Sequence, residues 1–212
     1  MIRTGARDEK ISIARKFFKL LGTRNLLFLG IAGSVSYNPE SDDDVDIFII
    51  TNAGKLWSTI IRAMVIRRIY RLEPICLSLC LDSISAKRMF DESSDFIVAR
   101  DSLHVLPLYG DSYYNQLVRG SQLIMKFFPE EFNNIDTVTF PPGRSGPQDY
   151  ALFLFSAVYL EVKGLLNNHR YETANEGENC FKTVLGFHRF YLDSVKYQKL
   201  RELYQEHGDM GA

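Results

Sequence analysis

Two aspartates, Asp44 and Asp46, have the residue type and the spacing that a metal site requires. They flank Val45 at the start of the apolar run Val45 to Ile50. Residues two apart on a strand project to the same face, so both carboxylates should lie side by side. Paired carboxylate oxygens are the ligands that Mg²⁺ prefers, and two such ions can hold the attacking and leaving oxygens of an in-line displacement. We therefore predict Asp44 and Asp46 as ligands for one or two Mg²⁺ ions.

A Gly-Ser pair upstream could bind the anion that such a metal accompanies. Gly33 follows the apolar run Leu26 to Ala32, where glycine permits a tight turn and close approach of a phosphate. Ser34 and the amides after it should begin a helix, and a helix N-terminus favours an anion. Gly33 and Ser34 are thus predicted to bind a nucleotide. No Lys or Arg lies near Asp44 and Asp46 in the sequence to offset their repulsion.

The spacing of these residues resembles a known signature. Gly33-Ser34, nine intervening residues, and then Asp44-Val45-Asp46-Ile47 resemble the DNA polymerase beta-like nucleotidyltransferase superfamily. The resemblance covers roughly residues 25 to 51. It implies transfer of a nucleoside monophosphate from a nucleoside triphosphate to a hydroxyl acceptor, with release of pyrophosphate. The acceptor, whether small molecule, protein or RNA, and the identity of the base stay open.

A second stretch, Ala99-Arg-Asp-Ser-Leu-His-Val-Leu-Pro-Leu-Tyr-Gly110, is similar to a segment of a prokaryotic, largely archaeal branch of nucleotidyltransferase-domain proteins. Asp101 stands where that branch tends to carry Glu. Catalytic members of the superfamily usually place a third carboxylate in the strand after the long helix. Here that position falls near Ser78, and Glu73 and Asp82 only bracket the strand. Asp101 is therefore the candidate for the missing catalytic carboxylate.

Two other hypotheses stay open. One, which the missing carboxylate favours, is a nucleotide-binding module without turnover, acting as a regulatory or antitoxin-like partner. The other is a helical interaction protein whose two C-terminal helices mediate a homodimer, with a vestigial α/β domain.

Basic residues and histidines allow functional and structural interpretations. The predicted helix Lys55 to Leu72 carries five basic residues and no acid. They could line a groove for a polyanion or form the solvated face of an amphipathic helix, which we favour. For His104 we favour capping or packing over a role as a base. His188, placed on a predicted aromatic helix, should pack in the core.

Composition limits the class of protein. The 212 residues carry a net charge of −1, with 46% hydrophobic and 24% charged residues. This composition is typical of globular proteins. The small net charge provides no overall electrostatic attraction for nucleic acid. The polar N-terminus lacks a signal-peptide core, and the apolar run Tyr150 to Leu160 is too short to span a membrane. We expect a soluble, cytoplasmic protein that does not bind a membrane, with its three cysteines as buried thiols.

The hydrophobic pattern predicts an α/β (α+β) fold with a mixed sheet flanked by helices. We assign residues 1–110 to a nucleotidyltransferase domain and 111–212 to a helical C-terminal region, with a linker near 141–147. Predicted strands are Leu26 to Ala32, Val45 to Ile50 and Ile75 to Leu81. Predicted helices are Asp8 to Leu21, Lys55 to Leu72, Ser83 to Phe90, Ser94 to Val105, Tyr114 to Phe128, Gln148 to Asn167 and Asn179 to Glu206.

Overall fold

The computed structural model describes residues 2–37, 43–133, 145–174, 177 and 180–208. The strands are β1 (Leu26–Ile31), β2 (Val45–Thr51), β3 (Ile75–Asp82), β4 (Leu106–Tyr109), β5 (Phe181–Gly186) and β6 (Arg189–Ser194). The helices are α1 (Ile2–Leu21), α2 (Ser34–Tyr37), α3 (Leu56–Ile69), α4 (Ser83–Glu92), α5 (Phe96–His104), α6 (Asp111–Arg119), α7 (Gln122–Phe127), α8 (Pro147–Thr173) and α9 (Val195–Gly208). A short 3-10 turn spans Pro129–Glu131.

The described strands form a six-stranded mixed sheet in the order β4-β1-β2-β3-β6-β5. β2 and β3 are parallel, joined by the crossover helix α3, and the other neighbouring pairs are antiparallel. Helices flank this sheet, which confirms the predicted fold class. β1, β2 and β3 coincide closely with the three apolar runs, because central strands are buried on both faces and read as continuous hydrophobic segments.

Two hydrophobic clusters cover the two faces of the sheet. Leu29, Ile31, Ile47 and Ile49 pack with α1, α3 and the inner side of α8. Phe28, Phe48 and Ile50 point the other way and pack with α4, α5, α6 and α7. Side chains alternate along β1 and β2 in this way because successive residues of a strand face opposite sides.

The C-terminal part differs most from the sequence prediction. The single helix predicted over Asn179 to Glu206 is wrong, since residues 181–194 form the hairpin β5–β6 and only α9 is helical. The hairpin turns at Phe187 and His188, and β6 pairs with β3. Its strands are rich in Phe, Val, Thr, Leu and Tyr, and a two-residue turn joins them, which are hairpin features.

Smaller differences also have local causes. The predicted helix Tyr114 to Phe128 is two helices, because Gly120 ends α6 and the Ser121 hydroxyl caps α7 by accepting from the Ile124 amide at 3.3 Å. β4 was not predicted. It is an edge strand, where Pro107 is tolerated.

The predicted linker near 141–147 lies mostly outside the described residues, and its end leads into α8 at Pro147. No helix within the described residues has the length and apolar composition needed to cross a membrane.

Candidate functional site

A left-handed turn at Gly33 begins the candidate site. β1 ends at Ile31, Gly33 has φ +65°, and the single-turn helix α2 follows. The Gly33 carbonyl accepts two hydrogen bonds from Ser36, from its amide at 3.0 Å and from its hydroxyl at 2.6 Å. These bonds fix the turn and place Ser34, which is half-buried, at the start of α2.

The turn packs directly against Asp46. A Cβ atom added to Gly33 would overlap the Asp46 carboxylate oxygen Oδ2 and lie 3.2 Å from its Cγ. In addition, the Ala32 amide donates to the Asp46 carbonyl at 2.8 Å. Glycine is thus required at position 33 both for its backbone conformation and for the space that the carboxylate occupies.

Asp44 and Asp46 lie close together at the start of β2, where the charge of Asp44 acts on Asp46. Val45 and Ile47 are both in the cluster beneath α1 and α3, so Asp46 alternates to the opposite face, whereas Asp44 directly precedes the strand. Asp44 is the more exposed of the two, and Asp46 is half-buried. The structure therefore brings together three of the predicted site residues, Gly33, Asp44 and Asp46, with Ser34 next to them in the turn.

The pKa of each carboxylate is raised above its ordinary value. Burial raises the pKa of Asp46 to about 7, with a further upward contribution from the Asp44 charge and an opposing one from a hydrogen bond to Cys76. Burial also raises the pKa of Asp44, against the charges of Arg67 and Lys10. Two neighbouring carboxylates repel each other when both are ionised. A cation that binds them relieves this repulsion, so its binding brings a large electrostatic gain.

Two basic residues that are distant in the sequence approach this pair. Lys10 of α1 is only 6% exposed, and both it and Arg67 of α3 lower the pKa of Asp44. Arg67 also donates to the Glu73 carbonyl at 2.9 Å. No Lys or Arg is close to Asp44 and Asp46 in the sequence. In the folded chain two basic residues do approach Asp44, because α1 and α3 pack next to β2.

Cys76 is the residue of this site that the sequence did not indicate. It is the partner of Asp46 in the parallel register of β2 and β3, and its thiol is hydrogen-bonded to Asp46. Ser78, the position expected to carry a third carboxylate, lies at a register shift, and its hydroxyl donates to the Ile47 carbonyl at 3.4 Å. Only the register of the two strands could have revealed Cys76.

Asp82 is engaged at the far end of β3. It is fully buried, and its carboxylate accepts from the Gly54 amide at 3.0 Å and the Ser85 amide at 3.1 Å. His188 Nδ1 lies 2.6 Å from Asp82 Oδ2. His188 is thus at the hairpin turn rather than on a helix, and its role is to join that turn to Asp82.

Asp101 lies on α5 and contacts the end of α2. Its Oδ1 accepts from the Tyr37 hydroxyl at 2.7 Å and pairs with Arg100 at 3.1 Å. His104 stacks on Tyr37 with ring centroids 4.5 Å apart. These contacts connect Asp101 to the Gly-Ser turn through Tyr37, and no described contact joins it to Asp44 or Asp46.

The described residues contain no group of three or more His, Cys, Asp or Glu side chains placed to hold a metal ion. Three of the five basic residues of the predicted helix Lys55 to Leu72 lie in two different places. Lys55 and Arg62 line a cavity of about 360 Å³ with Arg24, close to the start of β1. Arg67 instead lies near Asp44.

Neither the known protein families, nor curated proteins, nor solved structures gave a match to this chain.

Proposed function

We propose that the chain is a Mg²⁺-dependent nucleotidyltransferase of the DNA polymerase beta-like type. The observation that carries this proposal is the contact between Gly33 and Asp46, with Asp44 close to Asp46 at the start of β2. It combines a turn suited to a phosphate with a carboxylate pair suited to a metal. The family assignment rests on the sequence signature and on this arrangement.

The donor set fits Mg²⁺. Asp44 and Asp46 supply hard oxygen ligands, and burial raises the pKa of both, so a divalent cation would offset their repulsion. Remaining ligands would come from the triphosphate and from water, as is usual for this ion. When bound, Mg²⁺ would neutralise charge on the phosphates as the leaving group departs.

The chain's own residues would mainly position the reactants. The acceptor hydroxyl oxygen bonds to the α-phosphorus, the bond from that phosphorus to the bridging oxygen breaks, and pyrophosphate leaves. Ser34 and the turn at Gly33 would orient the triphosphate in line. Asp101 is our candidate for accepting the hydroxyl proton, for which it would exchange its contact with Tyr37.

The test is calorimetry with each nucleoside triphosphate, in Mg²⁺ and in EDTA, together with a pyrophosphate assay in the presence of cell extract. We expect binding only with Mg²⁺, and loss of binding in Asp44→Asn/Asp46→Asn. Asp91→Asn, which removes an exposed ion pair with Lys87, is the matched control and should bind normally. Equal binding with and without Mg²⁺ would reject the two-carboxylate site.

A second candidate is a nucleotide-binding module without turnover. Cys76, rather than a carboxylate, is the β3 neighbour of Asp46, and this observation favours it. The same assays separate the two candidates. Mg²⁺-dependent binding without pyrophosphate release would support the silent module, and release that depends on Asp44 and Asp46 would support the enzyme.

A further inference from the structure

The cavity of about 360 Å³ lies where β1 begins and β2 ends. Its wall comes from three parts of the chain, which are the turn before β1, the start of α3 and the start of α8. This volume is within the range of cavities that bind small molecules. We call it the α3 cavity, and its polar lining includes Arg24, Asn25, Lys55, Arg62, Gln148 and Asp149.

The α3 cavity is separate from the carboxylate pair of Asp44 and Asp46. Both aspartates are at the start of β2, whereas the cavity lies beyond the last residue of that strand, Thr51. Seven residues of strand, at about 3.3 Å each, put roughly 20 Å between the two places. A ligand in the α3 cavity would therefore not depend on the metal ligands of the proposed function.

The α3 cavity carries an excess of positive charge. Arg24, Lys55 and Arg62 line it, and Asp149 is the one acidic residue among its described lining residues. Lys55 Nζ pairs at 2.9 Å with Asp149 Oδ2, which also accepts from the Gly146 amide at 2.8 Å. Since Lys55 neutralises this carboxylate, the charges of the two arginines have no acidic counterpart in the lining.

Arg62 is held beside Arg24. Its Nη2 donates to the Arg24 carbonyl at 2.8 Å. Burial and the charge of Arg24 lower the pKa of the Arg62 guanidinium. The Arg62 Nε is shielded from solvent and has no hydrogen-bond partner within the part of the chain that the structure describes. A buried donor without a partner costs free energy, and neighbouring like charges repel each other. An anion bound by both arginines would offset both costs.

The first turn of α3 adds to the attraction for an anion. Ser58, which lies in that turn, lines the cavity, and no described side chain caps this 14-residue helix at Lys55. The hydroxyls of Ser58 and Thr59 both donate to the Lys55 carbonyl at 2.9 Å. The positive end of the helix dipole therefore acts together with the arginines.

The lining favours a sugar phosphate over other anions. Guanidinium groups suit the oxygens of a phosphate, which accept paired N–H bonds. Asn25 and Gln148 add amide groups that can hydrogen-bond to the hydroxyls of a sugar. No aromatic side chain is among the described lining residues, so a nucleotide base would gain no stacking there.

We propose that the α3 cavity binds a small sugar phosphate, with the phosphate between Arg24 and Arg62 and the sugar hydroxyls towards Asn25 and Gln148. A phosphomonoester carries about two negative charges at neutral pH, which the two guanidinium groups match. The site therefore needs no metal ion.

The first experiment is calorimetry of the full chain with ribose 5-phosphate in EDTA. We expect binding, and we expect Arg24→Gln and Arg62→Gln each to raise the dissociation constant by at least about tenfold, because each removes a charge-assisted contact. Arg88→Gln is the matched control and should bind normally. Arg88 is an arginine of α4, on the other face of the sheet, with a side chain that is 69% exposed. Circular dichroism verifies that each variant is folded, which the exposure of Arg24 favours.

The second experiment defines the ligand and separates this site from the proposed nucleotide site. Asp44→Asn/Asp46→Asn should still bind ribose 5-phosphate, whether or not the proposed function holds. Inorganic phosphate should bind more weakly than ribose 5-phosphate, and adenosine monophosphate should bind no more tightly.

Three results would overturn the proposal. One is the absence of binding at about 10 mM ribose 5-phosphate, above the millimolar range of weak ligands. Another is unchanged affinity in both Arg24→Gln and Arg62→Gln. The third is tighter binding of adenosine monophosphate, or equal binding of inorganic phosphate, because neither result fits a site for a sugar phosphate.

Discussion

At the scale of single residues, the contact between Gly33 and Asp46 determines the geometry of the candidate site. Gly33 combines a positive φ with close packing against the Asp46 carboxylate. Cys76 holds the same carboxylate by a hydrogen bond. Small changes at these positions should therefore affect nucleotide binding through the position of one side chain.

Gly33→Ala should lower stability by about 1–2 kcal/mol, through backbone strain and overlap with Asp46, and should weaken Mg²⁺-dependent nucleotide binding. Gly22→Ala is the matched control. Gly22 also has a positive φ, +66°, but a Cβ there meets nothing within 4 Å. Denaturant unfolding and calorimetry measure both effects. If the two variants bind nucleotide equally well, the contact with Asp46 has no part in binding.

The pKa of Asp46 predicts a pH dependence. In the folded chain burial raises this pKa to about 7 from its ordinary value of 3.8, so between these values the native state binds more protons than the unfolded state. Stability without metal should therefore fall as pH rises from about 4 to 7. Asp46→Asn should remove this part of the slope.

Mg²⁺ affinity should show the reverse dependence. Because the proton on Asp46 competes with the metal, affinity should rise as pH increases through about 7. Calorimetric titrations of Mg²⁺ between about pH 5.5 and about pH 8.5, roughly 1.5 units to each side of that pKa, measure this. Affinity that is flat over the range would show that Asp46 does not bind the metal.

At the scale of secondary-structure elements, Asp82 joins four parts of the fold. It ends β3, caps α4 through Ser85, accepts from the turn at Gly54 and contacts His188 in the hairpin. The His188 carbonyl also accepts from the Asp82 amide at 3.0 Å. Asp82 is thus a structural carboxylate.

Asp82→Ala should destabilise the protein by about 3 kcal/mol, because it removes a helix cap and leaves buried amides without acceptors. His188→Ala should have a smaller effect, about 1 kcal/mol, since the imidazole is 40% exposed. Urea unfolding compares both with Asp91→Ala, a surface control expected to be near neutral. Equal effects of Asp82→Ala and Asp91→Ala would contradict this account.

At the scale of the whole molecule, one sheet includes strands from both regions assigned from the sequence. β4 ends at Tyr109, whereas β5 and β6 come after α8. Trp57 donates its indole N–H to the carbonyls of Gly186 and Phe187, at 3.2 and 3.0 Å. Tyr114 of α6 stacks on Phe28 of β1 with centroids 4.0 Å apart. Residues after 110 therefore cover both faces of the strands that carry the site.

A fragment of residues 1–110 should not fold cooperatively by itself. It would expose β3 as an edge strand and uncover Phe28 and Trp57, whose partners Tyr114 and Gly186 are removed. Far-UV circular dichroism with thermal unfolding tests this against the full chain. A fragment with a sharp transition would mean that residues 1–110 are an independent domain.

The sequence by itself determined the features that depend on residues close together along the chain. Continuous apolar runs specified β1, β2 and β3, and the spacing of Asp44 and Asp46 at the start of β2 indicated that their carboxylates lie close together. Gly33, required by a local turn, was also visible in the sequence. In residues 181–194 the predicted helix is wrong, because pairing with β3 decides the structure there.

Only the tertiary structure decided which distant groups meet. Lys10 and Arg67 approach Asp44 because α1 and α3 pack beside β2, and Cys76 contacts Asp46 because of the parallel register. The α3 cavity likewise depends on the packing of α3 and α8 beside the turn before β1. Such contacts are set by the packing of whole elements, and periodicity within a short segment carries no information about which elements become neighbours.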